Sequence, residues 1–205
     1  MDKEIARILL EIEAVKLSIN PTFTWASGIK SPIYCDNRKL MSFPKYRNIV
    51  RDAFIEEIKS LNPDIIAGTA TAGIPHAAWI ADKLNLPMIY VRSSSKDHGL
   101  KNQIEGNLRK GQKVILIEDL ISTGGSSIDA ANAIKDSGGE VLMVVAIFTY
   151  LLQKAELNFE TSGFKYKTLT NFKTLIDQAV EKNYLSKDKK DIVLNWYKDP
   201  ENWKI

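Results

Sequence analysis

The 205-residue chain contains one cysteine, Cys35, and only two histidines. A single thiol excludes an intramolecular disulfide and a cysteine-based metal site, and two histidines argue against a zinc enzyme. The formal net charge is only +3 and the lysines are scattered, which argues against a nucleic-acid partner. The apolar residues within 5–17 are interrupted by charges, so this segment predicts an amphipathic helix and no membrane partner. We therefore expect a cytoplasmic protein.

The length and the hydrophobic content of 44% predict one domain over residues 1–205. From Asp64 onward, short apolar runs alternate with helical patterns. Strands are expected at residues 65–67, 88–92, 113–117 and 140–148, and near 166–169. Such alternation predicts an α/β fold, a central parallel sheet with helices on both faces, whose ligands bind at the carboxyl ends of the strands.

Residues 114–127 carry the most informative pattern: a buried strand, two adjacent acids, a glycine loop and a helix. Glu118 and Asp119 can accept hydrogen bonds from sugar hydroxyls, and the backbone N–H groups of 123–127 can hold a phosphate at the helix start. Ser126 or Ser127 is the expected helix cap. No lysine follows Gly125, which excludes a P-loop, and the acids precede the glycines, which excludes a dinucleotide fingerprint. The pattern predicts a site for a ribose 5-phosphate.

Three further segments have two interpretations each when judged alone. Residues 68–75 form a small-residue loop that could hold an anion or could simply turn a strand into a helix. Residues 92–106 form a polar loop, either a functional lid or a connection. Residues 23–38 interleave polar and aromatic side chains, as in a base-binding hood or an edge hairpin. His76 lies among apolar helix residues and is interpreted as packing.

These segments together resemble a known family. Residues 114–127 resemble the phosphoribosyl-diphosphate (PRPP) binding motif of type I phosphoribosyltransferases. Residues 96–99 (Lys-Asp-His-Gly) resemble the catalytic loop of the orotate phosphoribosyltransferases. The hood of that group is similar to this chain's Phe-Thr at 23–24, Ser-Gly at 27–28 and Lys-Ser-Pro at 30–32.

The resemblance implies the type I phosphoribosyltransferase fold, with a small hood around residues 20–40 and a mobile lid around 93–106. It implies the conversion of PRPP and orotate into orotidine 5′-monophosphate and pyrophosphate for pyrimidine synthesis. Mg²⁺, carried by PRPP without direct protein ligands, and a homodimer that shares the lid are implied as well. Lys96, Glu118 and Asp119 would be catalytic. The implied binding residues are Arg92, Lys96, His98, Glu118, Asp119, Leu120, Ile121, Ser122, Thr123, Gly124, Gly125 and Ser126 for PRPP; Thr69, Ala70, Thr71, Ala72 and Gly73 for pyrophosphate; and Ser122, Lys30 and Tyr34 for orotate.

The chain departs from the family pattern where orotate's carboxylate would be held. Ala26 replaces a frequent lysine, Thr71-Ala72 replaces a frequent Tyr-Lys pair, and no arginine follows Tyr150. Backbone N–H groups of the hood or Lys30 could replace the missing cation. Two other functions stay open: a purine phosphoribosyltransferase, which would share the motif at Glu118 but not the hood, and a PRPP-sensing regulator of the same fold.

Overall fold

The computed structural model describes residues 1–25, 28–93 and 103–203. Within these residues the chain forms ten strands, seven α-helices and three 3-10 helices. The strands are β1 (Val15–Leu17), β2 (Phe23–Thr24), β3 (Lys30–Ser31), β4 (Ile33–Cys35), β5 (Ile65–Thr69), β6 (Met88–Val91), β7 (Ile104–Glu105), β8 (Lys113–Ile121), β9 (Glu140–Thr149) and β10 (Tyr166–Asn171). The α-helices are α1 (Asp2–Glu11), α2 (Pro44–Ile58), α3 (Gly73–Leu84), α4 (Gly125–Asp136), α5 (Gln153–Ser162), α6 (Phe172–Glu181) and α7 (Lys190–Trp196), and the 3-10 helices are Asn37–Ser42, Lys59–Leu61 and Lys187–Lys189.

Six strands form the central sheet, in the order β10-β9-β8-β5-β6-β7. All neighbouring pairs are parallel except β6 and β7, which are antiparallel. β8 lies between β5 and β9, and its residues 114–118 are all buried. A parallel strand covered on both faces needs apolar side chains on both, which explains the uninterrupted apolar run before Glu118. The carboxyl ends of β5, β6, β8 and β9 therefore lie along one edge of the sheet.

Helices cover both faces of the sheet. Alternate side chains of β8 enter different cores: Ile115 and Ile117 pack in one, and Val114 and Leu116 in the other. The first core is completed by side chains of α1, α2, α3, α6 and α7, and the second by those of α4 and α5. The predicted α/β architecture is confirmed. In the part of the chain that the structure describes, no helix has the length and apolar character needed to span a bilayer.

The hood consists of two small antiparallel pairs beside the main sheet: β2 with β3, and β1 with β4. Strands were expected near Phe23 and Ile33 and are present. The predicted helix over residues 5–17 is wrong at its carboxyl end, because α1 stops at Glu11 and residues 15–17 form β1. Glu13 has a φ of +54°, which reverses the chain and lets Val15 pair with Cys35. Residues 15–17 are extended because they pair with β4. The apolar pattern of residues 5–17 alone does not show this pairing.

Candidate active site

Glu118 and Asp119 lie inside β8, which continues past them to Ile121. Successive side chains of a strand point to opposite faces. Glu118 is 4% exposed, and the hydroxyls of Ser126 and Ser127 donate hydrogen bonds to its Oε2, at 3.4 and 3.1 Å. The backbone N–H of Asp119 donates to Glu118 Oε1 at 3.1 Å.

Burial perturbs both carboxyl groups. Burial, followed by the nearby charge of Asp119, raises the pKa of Glu118 to about 8. Burial also raises the pKa of Asp119, and the charge of Arg38 opposes that rise. One member of the pair thus keeps its proton near neutral pH in the free protein, because two adjacent buried carboxylates repel each other. Perturbed carboxyl groups at the open edge of a sheet are typical of a functional site.

The glycine loop leads directly from β8 into α4. The structure shows that Gly124, with φ +82°, precedes the first residue of α4, so the prediction that Ser126 or Ser127 caps this helix is wrong. Both serines lie within the first helical turn and bond to Glu118 instead. The first N–H groups of α4, from Gly125 onward, have no partner within the helix, and they form the positive end of its dipole. This geometry is suited to a phosphate group.

Helix α5 supports the glycine loop from behind. The side-chain amide of Asn158 donates a hydrogen bond to the carbonyl oxygen of Thr123, at 2.9 Å. A Cβ added at Gly124 would lie 2.7 Å from the ring of Phe159, so only glycine fits between the loop and α5. Sequence reasoning missed both supporting residues, because α5 was not predicted.

The predicted pyrophosphate loop, residues 69–73, lies next to the acid pair. It connects the end of β5 to α3, and the N–H of Ala70 bonds to the carbonyl of Val91, at 2.8 Å. A Cβ on Gly73 would clash with the carbonyl oxygen of Ile117, the residue before Glu118. Thr69 is 4% exposed and its hydroxyl has no hydrogen-bond partner among the described residues. The loop and the acid pair are thus packed backbone to backbone.

Arg92 follows β6 at the base of the predicted lid. Its Nη1 is 3.3 Å from Glu105 Oε1, and its backbone N–H bonds to the carbonyl of Gln103, at 2.9 Å. Residues 104–105, expected within the lid, form β7 and pair with β6. Lys96 and His98 lie outside the described residues.

The three predicted orotate contacts lie in different surroundings. Ser122 lines a cavity of about 460 Å³ together with Trp25 and Ile29 of the hood. Tyr34 is 44% exposed and lines another cavity, of about 370 Å³. Lys30 Nζ donates a hydrogen bond to Thr24 Oγ1, at 2.9 Å. Ser122 thus shares a cavity with Trp25 and Ile29, and Tyr34 lines a different one.

Asn37 connects the hood to the acid pair and was missed by sequence reasoning. It is 1% exposed, and its Nδ2 donates to the carbonyl oxygen of Asp119, at 2.7 Å. The Cys35 thiol donates to Asn37 Oδ1 at 3.1 Å, which fixes the orientation of the amide. Burial, followed by the charge of Asp119, raises the pKa of the Cys35 thiol well above its usual value, so the thiol keeps its proton. The local sequence around Asn37 contains no signal for this long-range contact.

The surroundings of His76 support the interpretation of this residue as part of the packing. It is 2% exposed, its ring lies edge-on to Trp79 at 5.4 Å, and it also contacts Phe54. Burial lowers the pKa of His76 to about 4, which keeps the ring neutral at pH 7.

Comparisons with known proteins identify relatives of this chain. The family model described as "Phosphoribosyl transferase domain" matches residues 40–182. Proteins named orotate phosphoribosyltransferase are similar over nearly the whole chain: one from Listeria monocytogenes is 54% identical over 99% of this chain and 98% of its own length, and one from Enterococcus faecalis is 56% identical over 98% and 97%. The solved orotate phosphoribosyltransferase of Aeropyrum pernix superposes with a TM-score of 0.77 and 26% identity, covering 89% of this chain and 99% of its own. The UMP synthase of Leishmania donovani has a TM-score of 0.82 and 26% identity over 96% of this chain, which spans 42% of that longer protein.

Proposed function

The chain belongs to the phosphoribosyl transferase domain family, and from this premise we propose that it is an orotate phosphoribosyltransferase. It transfers the 5-phosphoribosyl group of PRPP to orotate, giving orotidine 5′-monophosphate and pyrophosphate in pyrimidine synthesis. The observation that carries this conclusion is the 54–56% identity, over nearly the full length of both chains, to proteins of that name. The acid pair and the glycine loop supply the chemistry that this reaction needs.

The ribose 5-phosphate lies at the carboxyl end of β8 in this proposal. The N–H groups at the start of α4 hold its phosphate, and Glu118 and Asp119 accept hydrogen bonds from its ring hydroxyls. When the bond between the anomeric carbon and the diphosphate breaks, positive charge develops on the sugar ring. A carboxylate fixed beside the ring offsets that charge without further reorganisation. No protein nucleophile is required.

The departing diphosphate lies against the loop 69–73. This loop packs on the backbone next to Glu118, so the leaving group and the ribose hydroxyls are held by adjoining parts of one rigid edge. Arg92 is anchored at that edge by Glu105 and the Gln103 carbonyl. Lys96 and His98 are proposed to supply further positive charge, and their contribution stays a prediction.

Magnesium is proposed as the cofactor, and the donor set fits one delivered with the substrate. Among the described residues no group of three or more histidine, cysteine, aspartate or glutamate side chains could hold a metal ion. Mg²⁺ commonly keeps several waters and binds through substrate phosphates, so PRPP can carry the ion without direct protein ligands. Bound with the diphosphate, the ion would neutralise part of the charge on the leaving group.

We also propose a cytoplasmic homodimer. Two exposed apolar side chains just before α2 support the self-association. Met41 is 39% exposed and Phe43 is 38% exposed. A single cysteine is compatible with a reducing compartment. Sedimentation of the purified protein tests the dimer directly.

The enzymatic proposal is tested by following the absorbance of orotate with PRPP and magnesium. Adenine, hypoxanthine, guanine and uracil serve as control bases in parallel reactions. We expect loss of orotate and formation of pyrophosphate in equal amounts. Turnover of a purine base without loss of orotate would replace the proposal by a purine phosphoribosyltransferase.

A further inference from the structure

The two ends of the chain that lie outside the family match pack against each other. The match covers residues 40–182, so the hood hairpin β2–β3 and helix α7 both fall beyond it. Trp196, the last residue of α7, is fully buried, and its Nε1 donates a hydrogen bond to the carbonyl oxygen of Lys30 at 2.9 Å. The ring of Trp196 also contacts that of Trp25 edge-on, with centroids 5.3 Å apart.

The same hairpin forms a wall of the cavity that contains Ser122. Trp25 and Ile29 line this cavity, and they enclose the turn of the hairpin: the N–H of Trp25 bonds to the carbonyl of Ile29 at 3.0 Å. Ile29 is adjacent to Lys30, whose carbonyl Trp196 holds. A displacement of the Lys30 backbone therefore moves the cavity wall that faces the glycine loop.

The hairpin has little stability of its own. β2 and β3 contain two residues each and, within the described residues, form a separate two-stranded sheet with one another. Isolated two-stranded hairpins are marginal in water, so the position of this one depends on what it packs against. Trp196 supplies both a hydrogen bond and a buried aromatic surface at that point.

We propose that Trp196 is a positioning residue for the base: helix α7 holds the hood hairpin at the distance from Ser122 that orotate requires. The proposal deepens the function proposed above and rests on it. Trp196 acts through Lys30 and Trp25, and its role concerns the acceptor base while PRPP is held by β8, α4 and the loop 69–73. Elements at the two ends of the chain would thus adapt a common phosphoribosyltransferase domain to its base.

The test replaces Trp196 by phenylalanine, which removes the N–H donor and keeps an aromatic ring. We expect the KM for orotate to rise about 3- to 10-fold, the effect of one lost hydrogen bond, with kcat and the KM for PRPP changed less than twofold. The matched control is Trp203→Phe, because Trp203 Nε1 donates to a backbone carbonyl in the same region, that of Ile192 at 3.2 Å. That variant should keep all three constants. Trp196→Tyr retains a ring with a donor and should show a smaller rise.

Each outcome separates the two proposals. If the wild-type protein does not consume orotate, the proposed function fails. If it does, and Trp196→Phe leaves the KM for orotate unchanged or raises both KM values together, the positioning role fails while the function stands. Loss of folding in both Trp196 variants would assign the residue to general stability and would also overturn the role.

Discussion

Replacement of Glu118 by glutamine should make the free protein more stable, and the gain should grow with pH. The reason is the difference between the pKa of this carboxyl in the unfolded chain, near 4.5, and its raised value of about 8 in the folded protein. A group whose pKa is raised on folding contributes its full stability below pH 4.5 and loses it as the pH rises through 8. Glu118 is 4% exposed, so solvent screens this effect little.

The magnitude follows from the linkage between protons and folding. At about 1.4 kcal/mol per pH unit, the carboxyl removes about 3 kcal/mol from the free energy of unfolding between pH 4.5 and pH 7. Glutamine mimics the protonated acid and removes this pH-dependent cost. Glutamine replaces one of the two acceptor oxygens by an NH₂ group, which then faces either the Ser127 hydroxyl or the N–H of Asp119. This mismatch costs about 1–2 kcal/mol at every pH. We expect a net gain of about 1–2 kcal/mol at pH 7.

The assay is urea unfolding of the ligand-free protein at pH 5, 6, 7 and 8, followed by tryptophan fluorescence. The quantity of interest is the difference in unfolding free energy between the variant and the wild type, because contributions of other groups such as His76 cancel in it. This difference should rise with pH. Glu140→Gln, at an exposed position at the start of β9, is the control for the substitution itself. A flat difference for Glu118→Gln would show that the buried carboxyl ionises as it does in the unfolded chain, and would refute the reasoning.

Three further variants test other parts of the site. Lys96→Ala should lower kcat by roughly 10²–10³, the effect of losing one preorganised electrostatic contact, and near-normal turnover would remove Lys96 from the catalytic residues. Asn37→Ala removes the hydrogen bond to the Asp119 carbonyl and should lower kcat/KM for PRPP about 10-fold; an unchanged value in steady-state kinetics would contradict this role. Gly73→Ala introduces a clash with the Ile117 carbonyl and should destabilise the protein by about 1–3 kcal/mol in thermal unfolding, so a melting temperature equal to that of the wild type would argue against the close contact.

Local sequence patterns predicted the frame of the site but not its detailed contacts. The apolar run before Glu118 predicted β8 because a strand buried on both faces has no room for polar residues. That run could not show that β8 continues to Ile121, since the continuation depends on pairing with β9, where Leu120 lies opposite Phe148. The cap was predicted wrongly for a similar reason. A serine hydroxyl can bond to a backbone N–H or to a carboxylate, and the buried position of Glu118 decides between them.

Helix α5 and the contact of Trp196 show two further limits. Only Ala155 and Phe159 are buried in α5, which is too few to produce an apolar period in the sequence. Trp196 and Lys30 are 166 residues apart, and nothing near either residue indicates the other. The function could be predicted from the sequence, unlike these contacts, because the acids, the glycines and the hood residues each form a short contiguous motif.

The pairing of β6 with β7 has a consequence for how the sequence of this protein can evolve. The N–H of Arg92 bonds to the carbonyl of Gln103, directly beside the paired strands β6 and β7. This bond joins the two ends of the chain segment between these residues. The entropy cost of closing a flexible loop grows slowly, by about 0.6 kcal/mol per doubling of its length. Insertions, deletions or a transplanted sequence between these two residues should therefore leave the sheet almost unaffected. We expect the length of the segment that carries Lys96 and His98 to vary in evolution more freely than the strands on either side of it.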